Sequence, residues 1–255
     1  MTPAADERRW LRRFCQSPQA AWRLVCFPHV GGSAGYYHPL ATALAPYAEV
    51  LAIQYPGRGD RWRERCVSTI PALADQAFAA LRGQVEPPFA LFGHSMGALV
   101  AFEVAARFAQ GAAAGPSWLF VSGRRAPSVP RSEPVSLGDD ATLIAELRHL
   151  GGTAERLLED EDMLAAILPV IRADYQAVQS YVPQPGARVS VPVTALVGDR
   201  DPLTSPAEAR AWAAHSSCRF ECRVFRGGHF FLEEHRAEVA ALMSRSLSGA
   251  PRSAC

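Results

Sequence analysis

The segment FALFGHSMGALVAFEVAARFAQ, Phe89–Gln110, decides the fold that we expect for the whole chain. Its first residues, FALFG, form a short apolar run that ends in glycine, which is typical of a buried strand. The residues after Ser95 include good helix formers and no proline, so a helix is expected to begin at the serine. Because Gly93 and Gly97 carry no side chain, strand and helix can approach each other closely. The segment therefore predicts a strand, a tight turn at Ser95 and a helix.

Similar apolar runs recur along the chain, separated from one another by helix-like segments: RLVCF, EVLAIQY, FALFG, WLFVSG, VPVTALVG and FECRVF. Continuous apolar strands that alternate with helices are typical of a parallel sheet covered on both faces. We therefore predict a doubly wound α/β fold with a mostly parallel central sheet flanked by helices. The length of 255 residues suits one large domain of this class.

The alternation breaks between Gly123 and Val191, where one connection between strands is far longer than a crossover helix requires. We expect a helical insertion at residues 124–186 that forms a lid over the carboxyl edge of the sheet. Most apolar positions of this insertion would simply pack it onto the core. The boundaries leave four other segments: an N-terminal segment (1–20), two parts of the α/β core (21–123 and 187–248) and a flexible tail (249–255).

The G-x-S-x-G pattern of a nucleophilic serine occurs twice, at residues 93–97 and at residues 31–35. The pattern is weak evidence alone, because glycine and serine are common residues. Ser95 follows a predicted strand and precedes a predicted helix, which a nucleophile on a strained turn requires. Ser33 follows a glycine pair, and the next residues, AGYYHPLATAL, delay any helix. We therefore predict that Ser95 is the nucleophile, with Ser33 as the alternative.

A serine nucleophile needs a base, and the base needs an acid that orients it, in the chain order Ser, Asp, His for this fold. The segment VTALVGDRDPLTSP supplies Asp199 and Asp201 after one predicted strand, and RVFRGGHFFLEEH supplies His229 after the next. We prefer Asp201, because it lies deeper in the turn, whereas Asp199 follows the strand end directly and suits a local hydrogen-bond acceptor. The predicted triad is Ser95, Asp201 and His229.

The stretch HVGG, His29–Gly32, follows the first long predicted strand and is similar to the H-G-G-G oxyanion loop of lipases and esterases. In such a loop a backbone N–H stabilises the oxyanion of a tetrahedral intermediate, and each donor contributes about 2.7–4 kcal/mol. We predict the amides of Val30 and Met96 as the two donors. His29 would then shape the loop rather than transfer protons.

The charge pattern argues against two classes of partner. The formal net charge is +1, with 26 Lys and Arg against 25 Asp and Glu, so no basic field favours nucleic acid. The first residues, MTPAADERRWLRRF, are charged where a secretory signal requires an apolar run, and no window approaches the length of a membrane span. We expect a cytoplasmic monomer that has neither a nucleic-acid nor a membrane partner.

The cysteines show no paired C-x-x-C spacing; they are Cys15, Cys26, Cys66, Cys218, Cys222 and Cys255. This arrangement favours neither a zinc site nor a disulfide framework, and we expect reduced thiols. We accordingly predict no bound metal and no cofactor.

The chain resembles the type II thioesterases, stand-alone α/β-hydrolases that accompany polyketide synthases and non-ribosomal peptide synthetases. The resemblance rests on CFPHVGGSAGYY, QYPGRGDR, FGHSMGALVAFEVA, LRHLGGT, VTALVGDRDPLTSP and FRGGHFFL, and it extends from about Trp10 to the final helix. It implies hydrolysis of acyl thioesters on the phosphopantetheine arm of acyl or peptidyl carrier proteins, which clears stalled or wrongly loaded groups. It assigns the roles already predicted: nucleophile Ser95, acid Asp201, base His229 and oxyanion donors Val30 and Met96.

The chain departs from the family pattern at Val30, where the family commonly has alanine. Since a backbone amide acts there, we expect little chemical effect, although the branched side chain would narrow the pocket. The resemblance also implies that the insertion covers an acyl channel. Its first arginines, Arg124, Arg125 and Arg131, would then face the acidic surface of a carrier protein.

Two arginines lie elsewhere, in the segment PGRGDR. We expect Arg58 and Arg61 to stabilise a loop beside the site rather than to touch substrate.

Three other functions are compatible with the predicted site. A general carboxylesterase or lipase would have the same triad, an acyltransferase would replace water by another nucleophile, and a non-enzymatic relative would only bind carrier proteins.

Overall fold

The computed structural model describes residues 8–14, 17, 20–45, 47–111, 113–130, 139–151 and 160–249. The described strands are β1 (Leu11–Arg13), β2 (Trp22–Phe27), β3 (Ala48–Ile53), β4 (Phe89–His94), β5 (Trp118–Ser122), β6 (Val193–Gly198) and β7 (Phe220–Phe225). They form one seven-stranded sheet in the order β1-β3-β2-β4-β5-β6-β7. Strands β2 to β7 are parallel, so the predicted mostly parallel sheet is confirmed.

Strand β1 is the element that the sequence did not predict. It pairs antiparallel with β3, with Leu11 opposite Ile53, and lies in the segment at residues 1–20 to which no element was assigned. It has three residues, of which two are arginines, so it carries too little apolar periodicity to be recognised.

The described α-helices are α1 (His38–Leu44), α2 (Ile70–Leu81), α3 (Met96–Gln110), α4 (Asp140–Leu150), α5 (Glu161–Gln179), α6 (Pro206–Arg210) and α7 (Arg236–Ser248). Short 3-10 turns lie at Arg8–Trp10, Ala34–Tyr37, Gly59–Arg61, Ala211–His215 and Phe231–Glu233. Side-chain oxygens accept from free amides where several helices begin, as Thr69, Asp139 and Asp160 do for α2, α4 and α5.

The core lies on both faces of the sheet, as a doubly wound fold requires. Along β4, Phe89 and Leu91 pack on the face that α2 and α3 cover, whereas Ala90 and Phe92 pack on the face that α1 and α7 cover. All four of these side chains are buried. Alternate residues of a strand point to opposite faces, which explains why the apolar runs in the sequence are continuous.

Helices α4 and α5 lie within residues 124–186, where a helical insertion was predicted, and residues 131–138 and 152–159 fall outside the described part. The two helices share a small apolar cluster of Leu143, Leu147, Leu168, Ile171 and Tyr175. Val30 packs against this cluster, which brings the two helices to the loop after β2. The exact bounds of the insertion and its action as a lid stay predictions.

Three further observations concern the chemistry of the described residues. None of their helices combines the length and the apolar character needed to span a membrane. They contain no group of three or more His, Cys, Asp or Glu side chains placed to hold a metal ion. Cys26, Cys66 and Cys222 are free thiols, but Cys218 is disulfide-bonded, so the expectation of reduced thiols is wrong at that position. Cys218 is half-exposed and lies in the bend before β7.

Candidate active site

Ser95 occupies a strained turn between β4 and α3. Its backbone has φ 55° and ψ −117°, and it is the only residue other than glycine with positive φ among the described residues. Its N–H donates to the Ser122 carbonyl on the neighbouring strand at 2.8 Å, which holds the turn against the sheet. A side chain kept in such a conformation is typical of a functional residue, because the strain of about 1–3 kcal/mol must be offset elsewhere.

The turn also depends on two glycines. A Cβ atom on Gly93 would lie 2.1 Å from the Gly97 carbonyl oxygen, and one on Gly97 would lie 1.9 Å from the Phe27 carbonyl oxygen. Both distances are far inside van der Waals contact, so β2, β4 and α3 meet only because these positions lack side chains. The second match to the pattern differs, since a Cβ on Gly35 would meet its nearest neighbour, Ser33 Oγ, at 3.5 Å.

Ser33 itself has ordinary extended backbone, with φ −112° and ψ 170°, at the start of the 3-10 turn Ala34–Tyr37. It follows a loop rather than a strand, and it does not line the pocket that contains Ser95. The geometry of a nucleophile turn is therefore present at Ser95 and absent at Ser33.

His229 and Asp201 lie side by side at the carboxyl edge of the sheet. His229 Nδ1 is 2.9 Å from Asp201 Oδ2 and 3.0 Å from Oδ1, and both side chains are buried. The Leu203 N–H donates to Asp201 Oδ1 at 2.8 Å and fixes the carboxylate in its turn. Asp199 is directed elsewhere, since its Oδ1 accepts from the Gly227 N–H at 2.8 Å. The structure thus brings Asp201, and not Asp199, to the histidine.

Ser95 and His229 line one narrow pocket, which has a cavity volume of about 30 Å³ and is partly open to solvent. Its apolar walls come largely from the two helices of the predicted insertion and the residues that adjoin them: Leu147, Leu150, Gly151, Tyr175 and Val178. No hydrogen bond joins the Ser95 hydroxyl to His229 in the described chain. In enzymes without substrate this bond is often long, and it shortens when substrate binds.

Of the two predicted oxyanion donors, Val30 lines the same pocket, and Met96 follows Ser95 directly in the chain. Val30 is in the turn after β2 and lines the pocket, and Met96 is the first residue of α3. Strands β2 and β4 are neighbours in the sheet, which places the two segments side by side. Neither N–H donates to a protein acceptor within the part of the chain that the structure describes. Neither amide is therefore committed to an acceptor within the described residues, as an oxyanion donor requires.

Two more histidines surround the site, and burial keeps both neutral. Burial lowers the pKa of His29 to about 3, and electrostatic interactions with His229 and Arg58 act in the same direction. Burial likewise lowers the pKa of His94 well below its usual range, assisted by His229 and His29. The His94 ring lies 5.0 Å from that of His229, and its Nδ1 contacts Ser122 Oγ at 3.0 Å. The sequence assigned no role to His94, yet this side chain is a fully buried neighbour of His229.

Arg58 and Arg61 both stabilise the loop after β3, as expected. Arg61 donates to the Gln54 carbonyl at 2.9 Å and pairs with Glu64 at 2.6 Å. Arg58 forms a two-pronged ion pair with Asp174 of α5, at 2.6 Å and 2.8 Å. Burial alone would lower the Arg58 pKa, but the charge and hydrogen bonds of Asp174 outweigh it and raise that pKa above its usual value.

Asp174 is the residue of the site that the sequence analysis missed. Its side chain is fully buried, although carboxylates are rarely buried without a partner. The available signal was its spacing in the sequence, because Ile171, Asp174 and Val178 lie three and seven residues apart on one helix face. An acidic residue on an otherwise apolar helix face would have indicated that Asp174 is buried.

The three arginines at the start of the insertion have different positions. Arg124 lines the pocket, and Arg125 is half-buried and donates to the Leu203 carbonyl at 3.4 Å. Arg131 lies outside the described residues. Arg124 thus lines the same pocket as Ser95 and His229, whereas Arg125 contacts the loop after β6 at Leu203.

Comparisons with known proteins agree with this geometry. A family model for the thioesterase domain matches residues 22–247. The chain is 46% identical over 239 residues to the probable cadicidin biosynthesis thioesterase of Streptomyces griseus, a match that covers 94% of this chain and 66% of that protein. It is 43% identical over 250 residues to thioesterase PikA5 of Streptomyces venezuelae, with 96% and 89% covered.

A solved structure shows the same likeness in three dimensions. The type II thioesterase BorB from the borrelidin biosynthetic cluster matches with a TM-score of 0.87 at 47% identity, over 94% of this chain and 98% of that chain. The predicted α/β-hydrolase fold and the predicted class of serine hydrolase are confirmed. The chain belongs to the thioesterase family.

Proposed function

We propose that this protein hydrolyses acyl thioesters on the phosphopantetheine arm of acyl or peptidyl carrier proteins. It would thereby clear stalled or wrongly loaded groups from a polyketide or non-ribosomal peptide assembly line. The observation that carries the proposal is that His229, paired with Asp201 at 2.9 Å, lines the same pocket as Ser95 on its strained turn. The relatives named for cadicidin and borrelidin biosynthesis support the assignment to a biosynthetic assembly line, such as one that makes an antibiotic.

The first half of the proposed reaction forms an acyl-enzyme. Ser95 Oγ attacks the thioester carbonyl carbon while His229 Nε2 accepts the hydroxyl proton. Asp201 accepts a hydrogen bond from His229 Nδ1, which fixes the tautomer and stabilises the imidazolium. The amides of Val30 and Met96 donate to the oxyanion of the tetrahedral intermediate. Collapse of that intermediate breaks the carbon–sulfur bond, and the His229 imidazolium protonates the leaving sulfur to give the free pantetheine thiol.

The second half releases the acid. A water molecule attacks the acyl-Ser95 carbonyl carbon and gives a proton to His229, and the same two amides stabilise the second oxyanion. His229 then protonates Ser95 Oγ as the ester bond breaks. The cycle uses side chains, backbone amides and water alone, so neither a metal ion nor a cofactor takes part in it.

The pocket walls suit an acyl chain. Leu147, Leu150 and Val178 line the pocket with apolar side chains, and burial of each methylene of the acyl group would stabilise the complex by about 0.8 kcal/mol. Val30 also lines the pocket, so its branched side chain narrows the space beside the oxyanion. We expect the helices α4 and α5 to act as a lid over this channel.

The carrier protein would dock beside the start of the insertion, where Arg125 and Arg131 supply positive charge to its acidic surface. Arg124 lines the pocket and would contact the pantetheine arm or the acyl group. Reversal of Arg125 and Arg131 together should raise KM for an acyl carrier protein and leave KM for a small acyl thioester unchanged. Equal effects on both substrates would contradict docking there. We further propose that the protein acts as a cytoplasmic monomer.

Intact-protein mass spectrometry tests the proposal directly. Acetyl-, propionyl- and longer-acyl carrier proteins are incubated with the wild-type protein and, as the matched control, with Ser95→Ala. The expected result is loss of the acyl mass with the wild-type protein only. If the acyl groups remain on the carrier while a small oxygen ester is cleaved, the protein is a general esterase. If an added alcohol, amine or thiol collects the acyl group in place of water, it is an acyltransferase.

A further inference from the structure

The carboxylate of Asp174 is fully buried and accepts hydrogen bonds from two different parts of the chain. Arg58 Nη1 and Nη2 donate to its two oxygens at 2.6 Å and 2.8 Å. The N–H of Gly31 donates to Oδ2 at 2.9 Å. Asp174 belongs to α5, so one side chain of the insertion joins the loop after β2 to the loop after β3.

Gly31 is the residue that follows Val30, the proposed oxyanion donor. Its φ of +71° allows the chain to turn back, and the turn closes with a hydrogen bond from the Gly32 N–H to the His29 carbonyl at 3.0 Å. The Gly31 N–H lies in the peptide plane that joins it to Val30. Because Asp174 fixes this plane, it restrains the backbone on the carboxyl side of Val30.

Helix α5 also approaches this turn closely through packing. The position that a Cβ would take on Gly31 is 3.2 Å from Cγ1 of Ile171, which lies one helical turn before Asp174. Arg58 lies on the other side, with Nη1 3.4 Å from the Gly32 carbonyl oxygen. The turn is thus held between α5 and the Arg58 loop.

The charge of Arg58 explains how a carboxylate can serve as the acceptor here. A buried carboxylate without a cation would be strongly disfavoured, and the two-pronged pair with Arg58 compensates its charge. The guanidinium also lies over the Tyr55 ring, 5.2 Å from its centroid. Arg58 therefore holds Asp174, and Asp174 holds Gly31.

We propose that Asp174 is a positioning residue for the reaction. Its ion pair with Arg58 holds it in place, and it orients the Val30 amide toward the oxyanion. The geometry of the oxyanion site therefore depends on the position of α5. The inference rests on the proposed function, because that function assigns Val30 as a donor. Asp174 does not contact the reacting atoms and is not itself a catalytic residue. Displacement of α5 would release Gly31 and weaken oxyanion stabilisation together with the pocket wall.

The test compares two double variants that differ in one acceptor. Arg58→Met removes the cation, and Asp174 is then replaced either by Asn, whose side-chain oxygen can accept from Gly31, or by Leu, which has a similar shape and no acceptor. Both variants lack the buried charges, so neither leaves an unpaired ion in the core. Thermal unfolding and circular dichroism establish that both are folded.

The readout is steady-state hydrolysis of a short-chain p-nitrophenyl ester, which requires the oxyanion donors and no carrier protein. We expect kcat of Arg58→Met/Asp174→Leu to be at least about tenfold below that of Arg58→Met/Asp174→Asn, with KM equal within about twofold. The rate of Ser95 labelling by a fluorophosphonate should fall by a similar factor. Asp140→Asn is the control, because it breaks the exposed ion pair with Arg172 between α4 and α5 and leaves Gly31 untouched.

Each outcome bears on a different statement. Equal kcat for the two folded double variants, with normal labelling of the wild-type protein, overturns the role of Asp174 and leaves the proposed function intact. A loss of kcat in Asp140→Asn as large as in the Leu variant would show that any disturbance of the insertion suffices, and it also overturns the role. If the wild-type protein neither cleaves the ester nor reacts with the fluorophosphonate, the proposed function fails and the inference fails with it.

Discussion

His229 Nδ1 lies within 3.0 Å of both carboxylate oxygens of Asp201, and the two side chains are almost completely buried. A ring nitrogen that faces a carboxylate carries the proton, so Nδ1–H donates and Nε2 is left as the acceptor. His29 and His94, the other buried imidazoles of the site, have pKa values lowered by burial and are neutral. These lowered pKa values make His29 and His94 weak bases, which supports our proposal that His229 transfers the proton.

Asp201→Asn should lower kcat by about 10⁴, because an amide facing Nδ1 favours the wrong tautomer of His229 while the shape of the site is kept. The matched control is Asp199→Asn. Asp199 is also in the turn after β6, and its contact to the Gly227 N–H needs only an oxygen acceptor, which asparagine retains. Steady-state kinetics with an acyl thioester should show activity within about threefold of wild type for the control. Equal losses in the two variants would contradict the choice of Asp201.

Substitution of Ser95 should separate activity from stability. Ser95→Ala and Ser95→Gly both remove the hydroxyl and should abolish hydrolysis. Glycine adopts φ 55° without strain, so Ser95→Gly should be more stable than Ser95→Ala by about 1 kcal/mol in urea unfolding. Ala98→Gly in the following helix is the control for glycine itself and should lose about 1 kcal/mol. A lower stability for Ser95→Gly than for Ser95→Ala would show that the turn stores no strain.

The two G-x-S-x-G matches should respond differently to alanine at their last glycine. A Cβ on Gly97 would overlap the Phe27 carbonyl oxygen at 1.9 Å, so Gly97→Ala must push α3 away from β2 and should lower stability by more than about 3 kcal/mol. Gly35→Ala meets only ordinary contact at 3.5 Å and should change stability by less than about 1 kcal/mol. Thermal unfolding measures both. Similar losses would mean that the turn at Ser95 tolerates a side chain.

The sequence predicted the elements whose signals are local. The run FALFG, the turn at Ser95 and the helix after it are neighbours in the chain, and the structure has β4, the turn and α3 at those positions. The order of apolar runs likewise predicted the parallel strands β2 to β7. The choice between Asp199 and Asp201 could be argued from their places in one turn, and the structure sets Asp201 beside His229.

The relationships that the sequence did not disclose join residues far apart in the chain. Asp174 and Arg58 are 116 positions apart, and neither residue has a local pattern that names the other. His94 touches His229 only because β4 and the loop after β7 meet at the same edge of the sheet. The three-residue strand β1 forms through pairing with β3, and its own sequence shows no apolar periodicity.

The buried His29 makes stability depend on pH in a predictable direction. Its pKa is about 3 in the folded protein and near 6.5 in the unfolded chain. Between these values the unfolded chain binds a proton that the folded protein excludes, so stability falls as pH decreases through this window. One such group changes the free energy of unfolding by up to about 1.4 kcal/mol per pH unit. The lowered pKa of His94 acts in the same direction.

Substitution by phenylalanine tests this effect, because a phenyl ring can keep the contacts that the imidazole makes with Tyr36 and Phe230, whose ring centroids lie at 4.5 Å and 5.0 Å. Urea unfolding at pH 7.5 gives the baseline difference between His29→Phe and the wild-type protein. At pH 5 the free energy of unfolding of His29→Phe relative to that of the wild-type protein should be higher by roughly 2 kcal/mol than at pH 7.5. The reason is that the variant no longer has the group that resists protonation. A difference that is the same at both pH values would mean that His29 is protonated within the fold at pH 5 without loss of stability.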